Sequence, residues 1–328
     1  RLGNVTVTLS LNSASELGRA VLMGDRHAGK AIRSADLLKE YGVPFHGSVV
    51  AMPHLVGWED LEMTVKYLCA SGAETVRVFL PGFTGMAAPA LRFEEPLWDE
   101  LSQFVSRLRE ETATPLTCEP PAIRDLTPEV VGVIEDSPAA RAGFCKGDVI
   151  EVVNGHPVHT RVHAFQKLLK AGPSEVNVKR EDRTVSLRIH KRPGERSGLV
   201  MDYDLDPALI RDMAREARRR AALKTLVLTS ELAGPVINLG IRRFWGGPGE
   251  ADAVVVKNRF FGGSIKAAGL LTVQDMEAAA EEFLQGATGI KPRLALLPGL
   301  AFDRRGRDLT GRSYLELEER FGIPFEAF

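Results

Sequence analysis

Gly24-Asp-Arg-His-Ala-Gly-Lys-Ala31 lies one residue away from a phosphate-binding loop. Such a loop needs Ser or Thr after the lysine to hold Mg²⁺, and position 31 is alanine. It must also follow a strand, whereas Glu16 to Met23 has helical spacing. His156, His159 and His163 fall close together, yet no Cys or carboxylate stands near them at ligand spacing, so surface histidines are expected. Glu94-Glu95 and Asp99-Glu100 pair carboxylates near the start of a helix, where the helix dipole favours negative charge without any catalytic role. Neither a Gly-x-Ser-x-Gly elbow nor a Ser/His/Asp set is found. Cys69, Cys118 and Cys145 stand too far apart for a disulfide framework or a metal-ligand pair, and a reducing cytoplasm fits them.

The background to these residues is ordinary. Of 328 residues, 44% are hydrophobic and 26% charged, with a formal net charge of -1. That balance suits a globular protein of two or three domains and sets up no field to recruit nucleic acid. The basic run Arg215 to Lys224 is interleaved with apolar residues and reads as a solvated helix face. No signal-peptide pattern and no apolar run of about 18 residues is seen, so no membrane span is expected.

The elements that must position any site change character along the chain. Val5 to Ser10, Phe45 to Met52 and Thr75 to Leu80 read as strands; Ala31 to Tyr41, Trp58 to Ala70 and Pro96 to Glu111 read as helices. Alternation of this kind implies a parallel sheet covered by helices. Pro115 to Arg124 is Pro-rich and is read as a linker. The middle is mostly β: strands at Val130 to Glu135, Gly147 to Val153, Ser174 to Arg180, Thr184 to His190 and Gly198 to Asp202, with a short helix from Ser137 and a second at Val162 to Ala171. The last third returns to α/β. Helices are expected at Pro207 to Leu223, Glu231 to Ile241, Val273 to Gln285 and Ser313 to Phe321, and strands at Thr225 to Thr229, Ala253 to Lys257, Ser264 to Ala267 and Leu294 to Leu297.

Val131-Gly-Val-Ile-Glu-Asp-Ser-Pro-Ala-Ala-Arg-Ala-Gly143, Gly147-Asp-Val-Ile150 and Val153-Asn-Gly-His-Pro-Val158 together resemble a bacterial PDZ domain. Ser137 and Pro138 start a helix, and Asn154-Gly155 supplies the positive φ of a tight turn. The resemblance implies peptide binding by strand addition. Its groove helix would present Phe165 and Leu168, and its carboxylate loop would be Ser197-Gly198-Leu199-Val200. The family's Gly-Leu-Gly-Phe pattern is kept only as Gly198-Leu199, so an internal segment or a neighbouring domain is the expected occupant.

Val227-Leu-Thr-Ser-Glu-Leu-Ala233, Val255-Val-Lys-Asn-Arg-Phe-Phe-Gly-Gly-Ser-Ile265, Ala268-Gly-Leu-Leu-Thr272 and Leu296-Leu-Pro298 resemble the domain of unknown function that closes radical-SAM proteins carrying a PDZ domain. Within it, one of Phe260 and Phe261 is expected to face a cleft. There Gly262 and Gly263 would admit a close approach and Asn258 would anchor a ligand, with core packing of the two rings as the alternative. That context makes the first third similar to the second half of a radical-SAM barrel. The resemblance implies that Ser10 and Asn12 approach the ribose of S-adenosylmethionine, that the second strand supplies Ser48 to the same cofactor site, and that Pro81 and Gly82 come near the adenine. The Cys-x-x-x-Cys-x-x-Cys motif that would hold a [4Fe-4S] cluster is absent, so this chain alone is expected to retain neither cluster nor cofactor. Either the motif lies upstream of Arg1 and the chain is a fragment, or the chain has lost the cluster.

The expected fold is therefore α/β. A partial parallel (β/α) barrel (1–124) leads into a small, mostly β PDZ-like domain (128–203) and an α/β C-terminal domain (205–328). Two functions are expected: the C-terminal portion of a radical-SAM iron-sulfur protein with a PDZ module for a peptide or protein partner, or a non-enzymatic peptide-binding scaffold with a ligand cleft.

Overall fold

The computed structural model describes residues 5–93, 97–286 and 289–328. Glu94, Glu95 and the expected helix start at Pro96 lie outside the described residues. The chain forms two compact units. One comprises Arg1–Pro81, Phe93–Ala122 and Thr127–Tyr203; the other comprises Gly82–Arg92, Ile123–Leu126 and Asp204–Phe328. The architecture is mixed α/β, with two parallel sheets and a small, mostly β module in the middle of the sequence.

The first unit opens with β1 (Val7–Ser10), α1 (Glu16–Met23), α2 (Ala28–Glu40), β2 (Phe45–Val50), α3 (Pro53–Val56), α4 (Trp58–Ala70), β3 (Val76–Phe79), α5 (Leu97–Glu111) and β4 (Leu116–Glu119). Ser15 caps α1 by accepting from the Gly18 N–H at 2.9 Å, and Gly24 ends the helix in the left-handed region. The near-phosphate loop is thus a helix-to-helix connection. All four strands are parallel and lie in chain order, β1-β2-β3-β4. β4 falls within the stretch expected as a linker. Its flanking prolines mask Leu116-Thr-Cys-Glu119, whose first three residues are buried.

The two faces of this sheet differ. Phe45, Val49, Val76, Val78, Leu116 and Cys118 point into a core shared with α4 and α5, where Leu61, Val65, Leu68, Leu101, Phe104 and Leu108 recur at helical spacing. Alternate residues lie on the other face. Strand register places Ser10, Ser48, Arg77 and Thr117 in one row across all four strands, with Thr8 beside His46 below it and Phe79 beside Glu119 above it. Parallel sheets are ordinarily apolar on both faces. This one is apolar on the helix-covered face and polar on the other.

The mostly β module expected to be PDZ-like belongs to the same unit. Its elements are β5 (Gly132–Val133), α6 (Pro138–Arg141), β6 (Val149–Val153), β7 (His156–Pro157), α7 (Arg161–Lys170), β8 (Ser174–Arg180), β9 (Arg183–Ile189) and β10 (Leu199–Val200). They form a four-stranded sheet β7-β6-β8-β9 and a two-stranded ribbon β10-β5 around Val130, Ile150, Val153, Leu168, Val176, Val178, Ile189 and Leu199. Asn154 and Gly155 both take positive φ, 50° and 75°, as the hairpin turn requires. Asp148 is fully buried and paired fork-to-fork with Arg180: Nε donates to Oδ1 at 2.7 Å and Nη2 to Oδ2 at 2.8 Å, while Oδ2 also accepts from the Cys145 N–H. The module is tied to α5 where Arg109 pairs with Asp202 at 2.8 Å and Lys146 donates to the Arg109 carbonyl at 2.9 Å.

The second unit contains α8 (Pro207–Arg219), β11 (Lys224–Ser230), α9 (Gly234–Phe244), β12 (Glu250–Val256), α10 (Val273–Gly286), β13 (Leu294–Leu297), α11 (Leu315–Phe321) and β14 (Phe325–Ala327). Its four strands are parallel in the order β12-β11-β13-β14. Leu226, Leu228, Ala295 and Leu297 pack toward Met276, Ala280 and Leu317 of α10 and α11; Val227, Leu294 and Leu296 pack toward Ile210, Met213 and Ile237 of α8 and α9. Along the basic run, Arg215 pairs with Asp212, and Arg219 and Arg220 with Glu216, whose carboxyl their hydrogen bonds hold down at about 2. Ser264 to Ala267, expected as a strand, forms none, because the chain there turns to meet the Phe83–Gly85 segment.

Candidate functional site

The groove expected from the resemblance would lie along β10. Strand β10 pairs antiparallel with β5, Leu199 opposite Val133 and Val200 opposite Gly132. Gly198 and Val200 direct their carbonyls to this partner, accepting from Ile134 and Val131 at 2.9 Å each. Alternation turns the Leu199 N–H and C=O to the opposite edge, which pairs with no strand among the described residues. That N–H already donates to Ser197 Oγ at 3.3 Å. Gly198 has φ +90°, and a Cβ there would overlap the Ser137 side chain, so this corner admits only glycine. On α7, Leu168 is buried in the module's core and Phe165 is half-buried. The Ser137 cap is formed as expected, accepting from the Ala140 N–H at 3.1 Å.

The residues expected near a nucleoside fall as follows. Ser10 is exposed and faces half-buried Ser48 across the β1–β2 ladder. Asn12 Oδ1 accepts from the Val50 N–H at 3.0 Å, which ties the end of β1 to β2. Pro81 is buried in the first unit; Gly82 belongs to the second, where a Cβ would lie 3.2 Å from Ile265 Cδ1.

In the second unit the expected ligand cleft follows the C-terminal end of β12. Asn258 is buried, and both ends of its amide meet backbone: Nδ2 donates to the Leu270 carbonyl at 2.7 Å and Oδ1 accepts from the Phe261 N–H at 2.9 Å. Asp275 holds the same loop, its Oδ1 accepting from the Arg259 and Phe260 N–H groups. Phe260 is 52% exposed and meets Phe261 edge-on at 4.9 Å. Gly262 and Gly263 have φ +60° and +61°. A close backbone approach does occur there, and the approaching chain is the protein's own. Gly85 N–H donates to the Phe261 carbonyl at 2.7 Å, Ser264 N–H to the Phe83 carbonyl at 2.9 Å, and Phe83 N–H to Ser264 Oγ at 2.9 Å.

Residues the sequence reading passed over sit on the polar face of the first sheet. Glu119 accepts from Thr117 Oγ1 at 2.9 Å. Burial pushes its carboxyl up, while Thr117, Tyr203 and the charge of Arg77 pull it down. Burial first, and Glu119 second, push the Tyr203 phenol up to about 12. His46 Nδ1 lies 3.0 Å from Thr75 Oγ1, and burial pushes its imidazole down. A charged residue inside Val76-Arg-Val-Phe79 was the available signal, since a strand buried on both faces would not carry it.

Residues 129–180 match the family model of the PDZ domain. The chain therefore contains a PDZ domain, a module that binds peptides or proteins. None of the curated proteins compared with the chain matches it. Among the described residues no helix is long and apolar enough to cross a membrane.

Proposed function

We propose that this protein binds an extended internal segment of a protein partner along the open edge of β10, beside α7. The observation that carries this reading is the Leu199 edge itself. Its C=O is directed outward for strand addition, while its N–H, which a terminal carboxylate would need, is already engaged by Ser197 Oγ. Peptides selected from a random display library by the intact chain should bind as well with an amidated C-terminus as with a free one, within about twofold, by fluorescence polarisation. Ser197→Ala releases the Leu199 N–H and should shift preference toward free carboxylates by about fivefold, on the order of 1 kcal/mol for one hydrogen bond to a charged group. A wild-type protein that loses tenfold on amidation would overturn the internal-segment reading and leave a C-terminus binder.

A second reading concerns the first sheet. Its four parallel strands in chain order, with helices on one face and polar residues on the other, support the resemblance to half of a radical-SAM barrel. On that reading Ser10, Asn12, Ser48 and Pro81 of the first unit would contact S-adenosylmethionine, while the [4Fe-4S] cluster that would supply the electron has no Cys-x-x-x-Cys-x-x-Cys motif in this sequence to hold it. Protein expressed from its complete reading frame, reconstituted anaerobically with iron and sulfide, should then release 5′-deoxyadenosine under reduction. Failure to bind iron or to cleave would leave the peptide-binding scaffold alone. In that scaffold reading the loop Asn258, Phe260, Phe261, Gly262 and Gly263 serves as the ligand cleft, with exposed Phe260 as its contact.

A further inference from the structure

The polar face of the first sheet carries a half-buried cation in an unusual setting. Arg77 stands in the third strand of a parallel sheet, directly between Ser48 on β2 and Thr117 on β4. Among the described residues its guanidinium makes no hydrogen bond and no ion pair; the Phe79 ring centroid lies 5.8 Å away, and the Arg77 charge is felt by Glu119 and His46. Elsewhere in this unit arginines find carboxylates: Arg19 with Asp25, Arg109 with Asp202, Arg180 with Asp148. A forked donor held on a partly desolvated surface with its hydrogen bonds unmade is arranged to receive a planar anion in bidentate fashion.

Two neighbours narrow the chemistry. His46, the other basic group on the strands of this face, is held toward its neutral form by burial, and the charges of Arg77 and Arg196 add to that. Glu119 and Asp202 add negative charge close by, so a singly charged carboxylate suits the Arg77 fork better than a doubly charged phosphate. Glu119, one row above Thr117 on the same strand, accepts from Thr117 Oγ1 at 2.9 Å and hydrogen-bonds Tyr203. When protonated it can donate to a hydroxyl or carbonyl oxygen. Ser10 and Ser48 continue the row with hydroxyls.

We propose that the row Ser48–Arg77–Thr117, with Glu119 above it, binds a small carboxylate that also carries a hydroxyl or carbonyl oxygen. The carboxylate sits on the Arg77 fork, and the second oxygen faces Glu119. This site does not depend on the radical-SAM reading. Its defining residues, Arg77, Thr117 and Glu119, lie on β3 and β4, beyond the residues expected at a cofactor site on β1 and β2.

The test is a side-chain NMR titration of the intact chain with lactate, acetate and inorganic phosphate as probes. The Arg77 Nε–Hε signal, identified by its loss in Arg77→Met, should shift saturably with lactate and less with acetate. Arg77→Lys keeps the charge but loses the fork, and should weaken lactate binding at least threefold as read by the lactate resonances. Glu119→Gln removes a competing negative charge while keeping a donor, and should tighten binding about threefold. A surface control, Arg183→Met, should leave binding unchanged. The proposal is overturned if lactate leaves the Arg77 signal in place, or if Arg77→Met binds lactate as the wild type does. Phosphate binding as tight as lactate would overturn the carboxylate assignment.

Discussion

Replacing Arg180 by methionine should destabilise the PDZ module by about 3 kcal/mol, the low end for breaking a buried ion pair. Asp148 is fully buried, and without Arg180 its carboxylate keeps only the Cys145 N–H among the bonds described above. The arginine head is 34% exposed, so water recovers part of what is lost, which is why the low end applies. The pair raises the Arg180 guanidinium further above its usual range, as expected for a cation fixed on a carboxylate. A methionine also drops the bond from Arg180 Nη2 to the Gly143 carbonyl at 2.8 Å, which closes the helix α6 turn onto β8. Hydrogen exchange of the β6 and β8 amides in the intact chain would report the change. Protection there should fall by about two orders of magnitude, while amides of the second unit stay as they were. The double variant Asp148→Asn with Arg180→Met should lose less than the sum of the two singles, because the asparagine removes the charge that Arg180 neutralises. Additive losses would mean that the two side chains act separately.

Gly263→Ala should destabilise the second unit by about 3 kcal/mol, combining a left-handed backbone with overlap. A Cβ at this position would overlap the Phe83 carbonyl oxygen and lie 2.7 Å from the Thr84 carbonyl carbon and 2.9 Å from the Gly85 nitrogen. All three are backbone atoms, so no rotamer change can make room. Gly262 provides the internal control. Its φ is nearly the same, +60°, but its Cβ would come no nearer than 3.8 Å to anything beyond its chain neighbours. Gly262→Ala should therefore lose only the backbone part, about 1 kcal/mol. Urea melts of the intact chain followed by fluorescence of Trp245, which is buried in the second unit, would separate the two variants. Equal losses at both positions would show that the Phe83–Gly85 segment can lift away without consequence.

Much of the fold was legible because period and punctuation agreed. Trp58–Ala70, Ser174–Arg180 and Leu294–Leu297 begin and end at the residues expected, each an apolar pattern closed by a clear stop. Short strands that follow a proline and lack an unbroken apolar run were not legible. Leu116–Glu119 is four residues long, and β14 only three, too brief for periodicity to register. The candidate sites divide in the same way. Local signals such as the Ser137 cap and the Asn154-Gly155 turn are formed as expected. Signals whose meaning depends on distant chain were open. Asn258, expected to anchor a ligand, has its amide engaged by the Phe261 and Leu270 backbone. The two glycines beside it accommodate Phe83 to Gly85, a partner no spacing rule could supply. Arg77 was passed over because one charge in a four-residue strand looks like an edge; only the register reveals that strands flank it on both sides.

The seating of Phe83 against Ser264 spans 181 residues of sequence. During synthesis the segment between β3 and α5 therefore leaves the ribosome long before its seat exists, and it must wait exposed until β12 and the loop after it have been made. Neither compact unit is a continuous stretch of chain, so the order of translation is not the order in which they can be completed. A nascent chain halted after Tyr203 would hold all the residues of the first unit and still leave Gly82–Arg92 without its partner.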